Sequence, residues 1–573
     1  MASIQRVRVR GHSYWRIVKS RRVNGKPRVF VIAHLGKADD LLARLQAAEH
    51  LRLRSQSHGA TTAVYALARK LDIAGTIDRH LAASGRRDRR QPAHVPDPRR
   101  TPERHDGLSV GRSLELVSVG RTCHATSKQG FAEWARTTTL GDVASVDLDR
   151  LTSQHFWDQM DQVPIEVLAA IEREIVASAI ERFSLPLDTI LYDATNFFTF
   201  IASTNAHCKL PARGRNKQKR HDLRQLGVAL LCTRRDGIPL MHQMYGGRVP
   251  DAHSFAEVLP LIRQRLVDLG RDLDSLTLVY DKGNVSQLNQ GLVDQTKLHY
   301  VASLTASSQR ALITEANPLV QSVKLDEDES VMAYRTRRTI WGAERTLVIV
   351  VSETLRAGQI RGILQHAASA KKWLQDLADT LRRGKQKRDR ATLQRDIETR
   401  LMGRQHLSEV LQFNLSGTGR TLTLTWEFDQ DALDALARDW LGRLVLVTDR
   451  DDWSTAEIIR AYRGQTHVEA VFAHMKDPMH VMLRPQYHWT DQKLHVHVFT
   501  CVLSYLLARL LHLRAQQAVG YTRSMERLLD TLAQVRRVNI VRSTQKRGVR
   551  VTSQLEDVDP DVAKLIEVLG VQP

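Results

Sequence analysis

Three carboxylates are distinguished by the segments that carry them. Asp193 closes "LDTILYD", where Leu187, Thr189 and Leu191 share a strand face with it, and Asp281 closes "LTLVYD" before a Lys-Gly-Asn that ends the strand. Both acids therefore sit at a strand's mouth. Glu469 lies in "YRGQTHVEAVFAHMK", seven residues after Tyr462 and seven before Lys476. Steps of seven fall about 20° short of two full helical turns, so these residues form one stripe on a helix. Val468, Val471, Phe472 and Met475 occupy the adjoining face. A helix packed through that face onto a sheet would bring Glu469 toward the two aspartates. Such a trio suits two divalent metals about 4 Å apart, which activate a water or a 3′ hydroxyl and stabilise the leaving oxygen at a phosphodiester. Magnesium keeps several of its waters, so few carboxylates suffice.

The rest of the composition points to the same class of ligand. The 573 residues carry 84 Lys and Arg against 63 Asp and Glu, a net charge of +21, and a polyanion is the natural partner. The excess is spread over 85–100, 213–224, 382–390 and 536–550, so no single basic tail explains it. The apolar share of 42% is that of an ordinary globular chain, and the length calls for two or more domains. The four cysteines, Cys123, Cys208, Cys232 and Cys501, have no paired spacing, which argues against a disulfide framework and a zinc ribbon and fits a reducing cytosol. The longest apolar run, 496–513, holds His497, Arg509 and His512 and reads as a buried helix. No signal-peptide pattern opens the sequence.

The elements that must position the acids follow from periodicity. Alternation around Asn24-Gly25 predicts a hairpin over 14–36, and helical patterns follow at 38–54 and 61–84. The Pro- and Arg-rich stretch 85–106 reads as a linker, and 107–183 as helical. From 185 the order is strand, hairpin turning at Asp236-Gly237, helix, strand, with Ser254 and Glu257 as a capping box, Gly270 as the helix stop, and "HYVASL" (299–304) as a fifth strand. The stretch 306–450 interrupts this pattern with strand-like segments and a long charged helical run. A capping box at Ser454 and Glu457 then starts one helix through the Glu469 segment, with its end near Pro478.

With those residues in hand, "YRGQTHVEAVFAHMK" resembles the Tyr-x2-Arg-x3-Glu-x6-Lys signature of DDE transposases from bacterial insertion sequences. "LYDATNF" and "VYDKGN" look like that family's two aspartate segments, and "DGIPLMHQMYGGRVPDAHSF" and "LRPQYHWTDQKLHVHVF" are similar to its flanking stretches. The resemblance implies an α/β, ribonuclease-H-like core: a mixed five-stranded sheet with flanking helices, interrupted after the fifth strand by a largely β insertion with a helical stretch. It divides the chain into an end-binding region at 1–84, the linker 85–106, a helical region at 107–183, core at 184–305 and 451–520, the insertion at 306–450, and a basic region at 521–573.

It also implies that Asp193, Asp281 and Glu469 are catalytic and bind two magnesium ions per site, with manganese a substitute. Tyr462, Lys476, Arg463 and Trp341 would contact DNA, Trp341 and Tyr334 standing among Arg335, Arg337, Arg338 and Arg345, and Asp251 would support the site. Arg6, Arg8, Arg10, Arg21 and Arg22 would recognise the element's ends. The implied partners are double-stranded DNA, both element ends and target, and a second copy in a homodimer on DNA; the implied location is the bacterial cytoplasm, at the nucleoid. One departure is Gln465 at the signature's arginine position. It keeps open a catalytically inactive DNA-binding relative, and a ribonuclease-H-like nuclease without strand transfer is the other alternative. His495 and His497 read as buried or surface-polar rather than as metal ligands.

Overall fold

The computed structural model describes residues 2–23, 26–48, 52–84, 108–214, 216, 220–383, 388–479, 481–483, 486–544 and 548–572. The chain forms two compact units, Met1–Pro164 with Asp477–Met482 and Leu503–Pro573, and Ile165–Lys476 with Leu483–Val502.

In the first unit Ala2–Val9, His12–Val23 and Lys26–Lys37 make an antiparallel three-stranded sheet, one strand more than the hairpin read from sequence; the Asn24-Gly25 turn and the linker 85–106 lie outside the described residues. The helix expected over 38–54 stops at Ala48. Arg52–Ser57 is a strand paired with Arg536–Val541, which in turn pairs with Gly548–Leu555. Helical periodicity cannot reveal a partner so distant in sequence. The helix expected over 61–84 is two, Gly59–Lys70 and Ile73–Ala83, separated at Asp72, whose φ is 53°.

The second unit is built on a nine-stranded mixed sheet. Its strands are β1 (Thr189–Thr199), β2 (Arg224–Thr233), β3 (Pro239–Gly246), β4 (Thr277–Tyr280), β5 (His299–Leu304), β6 (Gln321–Lys324), β7 (Ser330–Ile340), β8 (Ala343–Val351) and β9 (Arg443–Thr448). They lie in the order β6-β7-β8-β9-β5-β4-β1-β2-β3. β4 runs parallel to β1 and β5, and the other neighbours are antiparallel. The helices used below are α1 (Ile165–Phe183), α2 (Asp251–Asp268), α3 (Glu353–Arg382), α4 (Thr455–Arg463), α5 (Gln465–Lys476) and α6 (Asp491–Val519).

Local chemistry explains most boundaries. Gly237 takes a φ of 59° in the turn from β2 to β3. α2 does not begin at Ser254: Pro250 caps it, and Ser254 is buried inside the first turn with its N–H on the Pro250 carbonyl at 3.1 Å. It ends as expected at Gly270, φ 69°, where the N–H groups of Gly270 and Arg271 close onto Val267 and Leu266. Under the sheet, Tyr192 and Tyr280 both pack on Phe255 of α2, at ring distances of 5.0 and 4.9 Å.

Two corrections concern 306–450. Four strands of that stretch extend the core sheet, so the sheet has nine strands rather than five. The reason is visible in β8, where Leu347, Val348, Ile349, Val350 and Val351 are all buried: a strand apolar on both faces needs cover on both. The part with a hydrophobic core of its own is mainly helical. α3, Arg390–Met402 and Gln430–Asp439 surround the hairpin Leu411–Ser416/Thr423–Phe428 through Leu374, Ile397, Val410 and Leu433. α6 is long and apolar enough to cross a membrane by length and composition, and 89% of its most apolar window is buried within the structure.

Candidate active site

Strand register sets out the site. Tyr192, Tyr280 and Ala302 are partners across β1, β4 and β5, so the residues that follow them, Asp193, Asp281 and Ser303, stand side by side at about one strand spacing, 4.8 Å. Because Tyr192 and Tyr280 face α2, alternation turns Asp193 and Asp281 to the opposite side of the sheet. Both acids are partly buried. Asp193 Oδ1 accepts the N–H of Ala194 at 2.8 Å, which holds the carboxylate against its own strand.

α4 and α5 supply the remaining groups, and they are two helices rather than the one expected. The break is at Gly464, where an added Cβ would lie 2.9 Å from Arg234 Cγ and 3.3 Å from Leu191 Cδ2. Glycine lets the turn press onto β1. Beside it Gln465 is buried, and its Nε2 donates to the Tyr192 carbonyl at 3.3 Å, tying the start of α5 to the residue before Asp193. Hence the residue that departs from the signature still touches the site, as an anchor through an uncharged amide.

The break divides the predicted stripe. Tyr462, on α4, donates its hydroxyl proton to Asp281 Oδ1 at 2.8 Å and lies 2.8 Å from Ser303 Oγ, so it orients the aspartate. Burial first, then the neighbouring Asp281 and Glu469 charges, push its phenol well above its ordinary value, and it stays a proton donor at neutral pH. Lys476, at the end of α5, donates to Thr195 Oγ1 at 2.8 Å and lies 5.3 Å from the Phe197 ring centre. Thr195 is two residues beyond Asp193 and so shares its face. Glu469 is exposed on α5. Among the described residues no group of three or more His, Cys, Asp and Glu side chains lies close enough to hold a metal. Register thus sets Asp193 beside Asp281, and the Glu469 charge is felt at Tyr462, which bonds Asp281.

The other predicted residues divide as follows. Arg463 forms a surface ion pair with Glu329 at 2.6 Å. Trp341 sits with Gly342 in the two-residue turn joining β7 to β8, at φ 51°, a conformation costly for a bulky side chain. Arg345 is not available to a phosphate: it is 3% exposed and doubly bonded to Asp294, with Tyr300 as a further partner. Arg335 donates to the carbonyls of Trp453 and Asp451, Arg337 pairs with Asp451 and Arg338 with Glu315. Asp251 begins α2, and its side chain lies outside the described residues. His497 is buried with Nε2 on the Leu483 carbonyl. The imidazole of His495 is held down to about 4 by burial and by the charge of His242. Sequence reasoning missed Ser303 and Thr195; alternation from Asp193 reaches Thr195, whereas Ser303 required the register of β5.

No family model matches the sequence, and no curated protein matches it. Among solved structures the chain is similar to a piggyBac transposase synaptic complex with hairpin DNA, at 10% sequence identity and a TM-score of 0.38, covering 82% of this chain and 79% of that one.

Proposed function

We propose that this chain is a DNA-cutting and strand-transferring enzyme of the transposase kind, with a ribonuclease-H-like core formed by β1 to β5. The observation that carries the reading is the pair of aspartates on neighbouring parallel strands, Asp193 within β1 and Asp281 just past the end of β4, with Lys476 on the face of Asp193. Their donors are hard oxygens, and Asp281 Oδ2 makes no hydrogen bond among the described residues, so the pair fits magnesium, or manganese in its place, which needs only one or two carboxylates. Asp193 and Asp281 would hold the metal, with Glu469 as the third acid. When bound, the metal supplies activation of a water or 3′ hydroxyl and charge neutralisation at the phosphodiester. The protein's part is positional. Tyr462 fixes Asp281, Gln465 fixes the helix to β1, and the Lys476 ammonium holds a backbone phosphate beside the acids.

A second reading, a DNA-binding protein that does not cut, is favoured by the exposed position of Glu469 and by Gln465. The two are separated by incubating the intact chain and Glu469→Gln with magnesium and a labelled duplex carrying the sequences that flank its gene. Joined products from the parent and binding alone from the variant support the transposase; binding without cutting by both supports the second reading. Cut ends that are never joined would indicate a nuclease.

A further inference from the structure

Beyond the end of β1 lies a surface away from the aspartate pair. Phe200, Tyr487 and Trp489 are 50%, 67% and 61% exposed. Along 486–489 burial alternates, with the polar Gln486 and His488 buried and the aromatic Tyr487 and Trp489 exposed. Burial of apolar area favours the opposite. The arrangement is built rather than loose: the Phe200 N–H donates to the Gln486 carbonyl at 3.1 Å, Phe200 stacks on Tyr487 at 5.6 Å, and Asn205 Nδ2 donates to the Trp489 carbonyl at 3.0 Å.

Asn205 also lines a cavity of about 570 Å³ whose rim carries Lys209, Arg213 and Arg248. These three are exposed, and their side chains form no hydrogen bond or ion pair among the described residues. The cavity wall is fixed by Arg224, which donates to the carbonyls of Ala202, Cys208 and Pro211. It is tightened at Gly247, where a Cβ would meet the Gln225 carbonyl oxygen at 1.8 Å. From Asp193 to the end of β1 the strand rise gives roughly 20 Å, so this surface is separate from the aspartate pair.

We infer that this surface is a second nucleic-acid site, selective for an unpaired strand, whose bases stack on Tyr487 and Trp489 while its phosphates lie on Lys209, Arg213 and Arg248. Exposed rings and a cavity lined by exposed cations are what a single strand requires, whereas the bases of a duplex are already stacked and cannot reach the rings. The inference shares the DNA ligand of the proposed function but does not depend on cutting.

The test uses the full chain, a fluorescein-labelled oligothymidine and a blunt duplex of equal length, read by anisotropy. Tyr487→Ala with Trp489→Ala should weaken oligothymidine binding at least about tenfold and leave the duplex unaffected. Tyr487→Phe with Trp489→Phe, which keeps the rings, should restore it. Lys209→Ala, Arg213→Ala and Arg248→Ala together should lower the slope of log affinity against log salt for the single strand by about 2. Unchanged oligothymidine binding by the double alanine variant overturns the inference, and so does an equal loss for both DNAs. Asp281→Asn, assayed alongside, should lose cutting and keep oligothymidine binding. If it cuts like the parent, Asp281 leaves the chemistry, and if the parent itself does not cut, the proposed function fails; in either case this site stands on the oligothymidine result.

Discussion

Asp281 and Arg345 are charged residues on the two sides of β5, and the fold treats them oppositely. Asp281 lies at a strand end, partly buried, with one oxygen held by Tyr462 and the other without a hydrogen bond among the described residues. Arg345 is enclosed between Asp294 and Tyr300. In the β7–β8 extension Arg335, Arg337 and Arg338 are also bonded within the chain, the last two in exposed ion pairs. The count of 84 Lys and Arg therefore overstates what a phosphate can meet, because a cation serves a ligand only where folding has not already paired it.

The sharpest break in this contrast would come from the acids. Asp193→Asn or Asp281→Asn should reduce DNA cutting by about a thousandfold or more while leaving the fold intact, since an amide keeps the shape and loses the charge. A variant cutting at the parent's rate would remove that acid from the chemistry. Arg345→Ala should do the reverse, lowering stability by about 3 kcal/mol in urea titration and leaving DNA binding of the folded chain unaltered. An undisturbed midpoint would mean that Arg345 is not the structural cation described.

The next effect depends on pH. His495 is depressed to about 4 in the folded chain, so the unfolded chain binds its proton first. Stability from this group is complete above about 6.5 and is lost as pH falls from there to about 4, about 3 kcal/mol at most. His495→Gln should flatten the denaturation midpoint across that window, and a parent and variant falling in parallel would reject the assignment. Smallest is Tyr462→Phe, which removes one hydrogen bond to Asp281; about 1 kcal/mol of stability and at most about tenfold in cutting rate should go with it, both measurable on the same preparation.

Much of this arrangement was legible beforehand because its signals are local. The strand-end position of Asp281, the turn at Gly237, the stop at Gly270 and the Ser454–Glu457 capping box depend on a few neighbouring residues, and each is present, whereas Asp193 lies inside β1, which continues to Thr199 rather than ending at the acid. Apart from the Ser254–Glu257 box, where Pro250 starts α2 a turn earlier, what failed depended on distant partners. Nothing in the alternation of 330–351 states which sheet the hairpin will join, and seven-residue spacing assumes an unbroken helix, whereas the fit of Gly464 against Leu191 and Arg234 interrupts it. The end of the helix read over 38–54 failed for the same reason: at 52–54 the choice between helix and ladder was made by 539–541.

That last pairing has a consequence in time. At about 5 to 20 residues per second, the partner strand leaves the ribosome on the order of 25 to 100 s after Arg52–Ser57. For that interval the earlier strand has an open edge and no ladder. Arg52 and Arg54 give it the positive charge that discourages pairing with a foreign strand, so the same basic composition that suits a polyanion also guards the nascent chain while it waits.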